Sequence, residues 1–184
     1  MVLCQTGPGC LSLRLLYRVR QFLLALYPQT RPADEAIRPH LSDVQVELFR
    51  QMSPSDQHHA VAVLGALQNR GPVDKALAQA ALLHDVGKVG GGILVRHRVL
   101  TVLLEAISPG LLRRIALDKP SSWRYPFYVQ LGHADRGASM ATHVGVEEEA
   151  VRLICYHHSM LTESQLSRRE QEQLASLQAA DGVH

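Results

Sequence analysis

A chain of 184 residues, 46% hydrophobic and 20% charged, is long enough for one domain with a buried core and has the composition of a soluble globular protein. The formal net charge of +2 is too small to predict a nucleic-acid partner. The three cysteines, Cys4, Cys10 and Cys155, form no regularly spaced framework, which favours a reducing, cytoplasmic location.

The first predicted element is a basic amphipathic helix, LSLRLLYRVRQFLLALY, at residues 11–27. Arg14, Arg18 and Arg20 interrupt its apolar run, so the pattern is neither that of a secretory signal nor that of a membrane span. Packing against the rest of the chain is the favoured role, and contact with a membrane surface is the alternative. We expect residues 1–30 to form a tail with this helix and residues 31–184 to form one helical domain.

Apolar residues keep helical spacing through the rest of the chain, and no alternating strand pattern interrupts them. Ser42 and Ser53 are predicted N-caps, and Pro54 suits the first position of a helix. Gly87 is predicted to end the helix that carries ALLHD. The further helices are predicted at residues 73–85, 94–106, 109–117, 126–143, 146–158 and 167–181, with a loop at 118–125. The sequence therefore predicts an all-α fold.

Ten histidines stand out in a chain with three phenylalanines and one tryptophan. His84 extends the apolar stripe of its helix, and Asp85 follows about 100° around the helix axis. His59 lies beside the apolar face of the preceding helix, whereas His58 is expected to face solvent. An isolated His-Asp pair is usually a hydrogen-bonded pair in a protein core, so the argument depends on the whole set.

The same placement recurs later in the chain. His133 and His157–His158 lie at the edges of two further apolar faces, and Asp181 lies on the apolar side of the last predicted helix. A solvated acid in a fraying helix end is the ordinary interpretation of Asp181. Imidazole and carboxylate groups without thiolates suit a divalent metal such as Fe, Mn, Zn or Mg. Together these residues predict a metal site between helices.

The order of these residues resembles the H…HD…D pattern of the HD superfamily of metal-dependent phosphohydrolases. HDVGK is similar to the HD-[IV]-GK form of the motif, and His133 with Gly137 and Ala138 resembles an H-x-x-x-G-A segment. His157–His158 resembles the double histidine of binuclear members, and the resemblance covers about residues 50–184. The Gly-Tyr-Pro segment of the cyclic-di-GMP phosphodiesterases is missing, which disfavours that substrate. Residues 133–158 also resemble small HD hydrolases that split diadenosine tetraphosphate.

The resemblance implies a five-helix core and two divalent ions bridged by Asp85. One ion would be held by His59, His84, Asp85 and Asp181, and the other by Asp85, His133, His157 and His158. It also implies catalytic roles for Asp85 and Lys88, with a metal-bridging hydroxide attacking phosphorus. Lys88 would hold a phosphate oxygen, and Arg136, one helical turn after His133, is a second candidate for that contact on its spacing.

The implied substrate is a small phosphorylated compound, a nucleotide or another phosphomonoester, phosphodiester or phosphoanhydride. Two other classes of function stay open at this point. A catalytically silent HD domain would use the same residues to sense a nucleotide or phosphate ligand. A helical interaction protein would keep the histidines for structure and present its basic N-terminal helix to a partner.

Overall fold

The computed structural model describes residues 32–159 and 166–182, and within these ranges it contains helices and no strand. Eight α-helices are present: α1 Asp43–Arg50, α2 Pro54–Gln68, α3 Lys75–Leu83, α4 Val95–Ile107, α5 Pro109–Ile115, α6 Tyr125–His143, α7 Glu148–Tyr156 and α8 Arg168–Asp181. Two short 3-10 helices, Asp34–Ala36 and Val86–Lys88, complete the set. The all-α prediction is confirmed. The helix predicted at 11–27 lies outside the described residues.

Local capping signals fix where several helices begin. The Ser53 hydroxyl accepts a hydrogen bond from the Asp56 N–H at 3.2 Å, and Pro54 occupies the first turn of α2 as predicted. The Asp74 carboxylate accepts from the Leu77 N–H at 2.9 Å, which satisfies a donor that the start of α3 leaves open. None of the helices in the described ranges is both long and apolar enough to cross a membrane.

Helix α3 is the centre of the bundle. Every residue of the helix after Lys75, from Ala76 to Leu83, is buried, because the sequence is apolar on nearly all sides of the helix. It packs against α2, α7 and α8, whose own buried faces supply most of the core. Residues that directly follow α3 therefore emerge inside the protein rather than at its surface.

The end of α3 differs from the prediction. The helix stops at Leu83, so the predicted extension to Asp85 with Gly87 as its terminator is wrong. Residues 86–88 instead turn into a 3-10 helix packed on α6. A Cβ atom on Gly87 would lie 1.9 Å from the His133 carbonyl oxygen and 2.6 Å from the Gly137 nitrogen. Glycine is required here because two backbones touch, and not because a helix ends.

Gly87→Ala should destabilise the protein by at least about 2 kcal/mol, because the new methyl group has no space between the two backbones. The matched control is Gly65→Ala in α2, where an added Cβ meets nothing within 4 Å. Alanine in that helix interior should raise stability by up to about 1 kcal/mol. Urea unfolding followed by circular dichroism measures both changes, and equal stability of the two variants would contradict the close approach.

Candidate metal centre

His84 and Asp85 follow α3 into the interior and are 1% and 3% exposed. The side chain of His59 approaches them from α2, and so does that of Asp181, which is the last residue of α8. The His59 Nε2 atom lies 2.8 Å from Asp181 Oδ1, and His84 Nε2 lies 3.7 Å from both Asp181 Oδ1 and Asp85 Oδ2. His59, His84 and Asp85 each offer a ligand atom within 4.8 Å of the others, a spacing that fits one metal ion.

A second group of ligand atoms lies beside the first. It consists of His133 from α6 and of His157 and His158, which follow α7. The Nε2 atom of His133 lies 3.3 Å from that of His157 and 3.1 Å from that of His158. The three imidazoles again offer nitrogen atoms within 4.8 Å of one another.

The carboxylate of Asp85 joins the two groups. Its Oδ2 atom faces His84 Nε2 at 3.7 Å, and its Oδ1 atom faces His133 Nε2 at 3.5 Å. One oxygen is therefore directed to each group, which is the arrangement that a carboxylate bridging two cations requires. The structure brings together all seven predicted ligand residues, and their role as ligands remains a prediction.

Backbone carbonyls orient three of these imidazoles. The Nδ1 atoms of His84, His133 and His157 lie 2.6–2.9 Å from the carbonyl oxygen three residues earlier in each case, at Ala81, Gln130 and Ile154. A carbonyl only accepts, so each Nδ1 carries a proton, and in its neutral form each ring presents a bare Nε2 lone pair. Histidines that bind metals are commonly held in this way through the nitrogen that does not bind.

The Nε2 atoms of these rings lie among other imidazole nitrogens and carboxylate oxygens. Among the residues that the structure describes, no hydrogen-bond partner reaches the buried Nε2 of His84. The Nε2 lone pairs of His133 and His157 face each other, and a proton between them is disfavoured because burial lowers the pKa of both rings, that of His133 to about 4. Lone pairs that converge in this way are stabilised by a cation, so these donors fit a divalent metal.

The two carboxylates keep their negative charge, although Asp85 is buried and Asp181 is partly buried. Burial alone would raise the pKa of Asp85, but the ammonium of Lys88 and the field of His84 outweigh it and hold this pKa well below the usual range. Burial also opposes ionisation of Asp181, yet the hydrogen bond from His59 lowers its pKa. Both carboxylates are therefore available as anionic ligands at neutral pH.

The two predicted phosphate-binding residues lie in different environments. The Lys88 Nζ atom donates to Asp85 Oδ2 at 2.6 Å, so its ammonium lies at the edge of the ligand cluster. Arg136 donates from Nε to the Gly87 carbonyl and from a terminal nitrogen to the Val89 carbonyl, both at 3.1 Å. These contacts hold the 86–88 turn against α6. Their geometry favours a positioning role for Arg136 over direct contact with phosphate.

Two details of the sequence prediction are wrong. His58 is half-buried rather than solvent-facing, although neither ligand group includes it. Helix α7 ends at Tyr156, so the prediction that His158 continues its buried face is incorrect. Because the backbone turns after Tyr156, His157 becomes the buried residue and His158 lies at the exposed rim.

One pair of residues near the site was not predicted. Arg98 of α4 donates from a single terminal nitrogen to both oxygens of Asp56, at 2.8 and 2.9 Å. The sequence indicates a capping role for an acid at this position of α2, but nothing in it connects Asp56 with a residue 42 positions later. Only the packing of α4 near the start of α2 brings the two together.

The lowered pKa of His133 predicts how the metal-free protein responds to acid. Unfolding restores the ordinary pKa of about 6.5, so the unfolded chain gains a proton below that pH while the folded chain does not. Stability should therefore fall as the pH is lowered from about 6.5 to 4, by up to about 3 kcal/mol from His133. His133→Asn should flatten this slope in urea unfolding with EDTA, whereas an unchanged slope would contradict the prediction. His143→Asn, which changes an exposed histidine of the same helix, should keep the wild-type slope.

Comparison with known proteins agrees with this geometry. The family model described as HD domain matches residues 57–181, which include all seven of the clustered side chains. A search of curated proteins and a search of solved structures each found no match. The family match covers more than half of the chain and begins and ends within two residues of His59 and Asp181. The chain therefore belongs to the HD-domain family.

Proposed function

We propose that this protein is a metal-dependent phosphohydrolase that acts on a nucleotide or another small phosphorylated compound. HD domains are in general metal-dependent hydrolases, although some have lost catalysis. The observation that carries the proposal is the convergence of bare imidazole nitrogens on a carboxylate that directs one oxygen to each side. A core of structural histidines would instead pair each nitrogen with a donor or an acceptor.

The ligand set supports two divalent ions, with Asp85 shared between them. When bound, such ions lower the pKa of coordinated water and neutralise the charge on phosphate oxygens. The protein contributes orientation, because the carbonyl contacts of His84, His133 and His157 fix which nitrogen faces the site. Fe, Mn, Mg and Zn are all compatible with imidazole and carboxylate ligands.

Lys88 is the cation best placed to contact a substrate phosphate. Its Nζ atom touches Asp85, and its side chain also lines an open cleft beside the ligand cluster. A phosphate held at the cluster would therefore come within reach of this ammonium, which would neutralise charge that develops during cleavage. Arg136 supports Lys88 indirectly in this proposal, because it holds the carbonyls of Gly87 and Val89 on either side of it.

Metal content tests the ligand assignment. Purified protein expressed in medium replete with iron and manganese should contain close to two ions per chain by mass spectrometry of the metals. Asp85→Asn should remove more metal than any other single change, because it weakens a ligand that both ions share. His143→Ala is the matched control: this exposed histidine of α6 bonds its Nδ1 to the Ser139 carbonyl and should be dispensable. A wild-type protein without metal would contradict the assignment.

Turnover tests the role of Lys88. Lys88→Ala should lower the rate of hydrolysis by about 100-fold while metal content stays the same, because its partner in the reaction is phosphate and not metal. Lys75→Ala, which removes an exposed lysine at the start of α3, should change neither. The assay is a panel of nucleotides, dinucleotides and a generic phosphodiester with added Mn²⁺ or Fe²⁺. Metal-replete protein that binds phosphate ligands but cleaves none would favour the sensing module.

A further inference from the structure

An open cleft of about 230 Å³ lies next to the ligand cluster. Its walls are the link between α1 and α2, the start of α2 at Asp56, the loop at 88–93 and Arg98 of α4. Lys88 connects the ligand cluster with the cleft, because its ammonium lies 2.6 Å from Asp85 Oδ2 and its side chain lines the cleft. A ligand whose reacting phosphate lies at the cluster would therefore extend past Lys88 into this space.

Arg98 is held rigidly at this cleft. Its partner Asp56 is nearly buried, with 6% of its side chain exposed, and also accepts a hydrogen bond from the Ser53 hydroxyl at 2.6 Å. The Arg98 side chain is 31% exposed and lines the cleft. An arginine fixed by a buried carboxylate loses little conformational entropy when it binds a further group.

The geometry of this ion pair leaves Arg98 with donors outside it. Both bonds to Asp56 use the same terminal nitrogen, so Nε and the other terminal nitrogen take no part in the pair. A purely structural arginine–carboxylate pair commonly engages two nitrogens in parallel. The N–H groups on Nε and on the other terminal nitrogen therefore remain able to donate to phosphate or carboxylate oxygens.

We infer that Arg98 is a specificity-determining residue that binds a second anionic group of the substrate, separated from the reacting phosphate by a compact linker. The cleft has a cation at each of two walls, Lys88 and Arg98, and Asp56 is the one acid among its lining residues in the described ranges. The lining also includes Val89, Ile93 and two glycines, which suit a sugar or another small scaffold. Its volume of about 230 Å³ is below the roughly 300–1,000 Å³ of pockets that enclose drug-sized ligands, so it suits a compact group.

This inference rests on the proposed function, and ligand binding separates the two. Isothermal titration calorimetry on the full chain loaded with Mn²⁺ would compare fructose 1,6-bisphosphate, fructose 6-phosphate and inorganic phosphate. Wild-type protein should bind the bisphosphate at least about tenfold more tightly than the monophosphate, because only the bisphosphate reaches Arg98. Arg98→Gln should bring this ratio close to one while affinity for inorganic phosphate is unchanged.

Two further variants keep the test decisive. Arg98→Lys keeps a cation beside Asp56 and so protects the fold, but it loses the N–H groups that the arginine holds outside the ion pair and should also reduce the preference for the bisphosphate. Arg96→Gln, which changes an exposed arginine of the same helix, should keep the wild-type ratio. A monophosphate bound as tightly as the bisphosphate, or an undiminished preference in both Arg98 variants, overturns this inference alone. Absence of all phosphate binding overturns it together with the proposed function.

Discussion

The buried carboxylate of Asp85 is the group on which the rest of the site depends. A charged group at 3% exposure is costly unless cations or hydrogen-bond donors surround it. Lys88 supplies one permanent positive charge at 2.6 Å, while His84 and His133 direct bare nitrogens to the same region. In the neutral rings these nitrogens have no proton to donate to the carboxylate, so a further cation between them would stabilise the arrangement.

Backbone packing sets the spacing of this site more firmly than side-chain contacts do. Gly87 lets the turn after Asp85 lie directly against the carbonyl of His133, so two ligand-bearing segments meet at the shortest distance that backbones allow. Arg136 then holds the same turn through the carbonyls of Gly87 and Val89. Because the approach of Gly87 to His133 is between backbone atoms, the spacing of the segments that carry Asp85 and His133 does not depend on a side-chain rotamer at that contact.

The helical character of the chain and the membership of the ligand cluster could be predicted from the sequence, because both follow from short-range patterns. Apolar spacing predicts which face of a helix is buried, and His59, His84 and Asp181 all lie on or beside such faces. The order of histidines and acids then resembles a known family, and that family is confirmed over residues 57–181.

The errors arose where a helix ends or where distant segments meet. Successive side chains in a helix point about 100° apart. The end of α7 at Tyr156 was therefore enough to exchange the predicted environments of His157 and His158. The pairing of Asp56 with Arg98 depends on where the fold places α4 relative to the start of α2, which no local pattern records. The contact that makes Gly87 necessary likewise belongs to α6, about 50 residues later.

The distribution of exposure within the cluster bears on whether its metal chemistry is structural or catalytic. His84, His133 and His157 are almost fully buried, whereas His158 is exposed and the side chain of Asp181 is 23% exposed. A structural metal is normally enclosed by its ligands, while a catalytic one keeps a position that water or substrate can reach. Here the three buried imidazoles form the inner side of the cluster. The outer side, at His158 and Asp181, is the side from which a phosphate could approach. This asymmetry favours a site that exchanges ligands with its surroundings over a purely structural metal site.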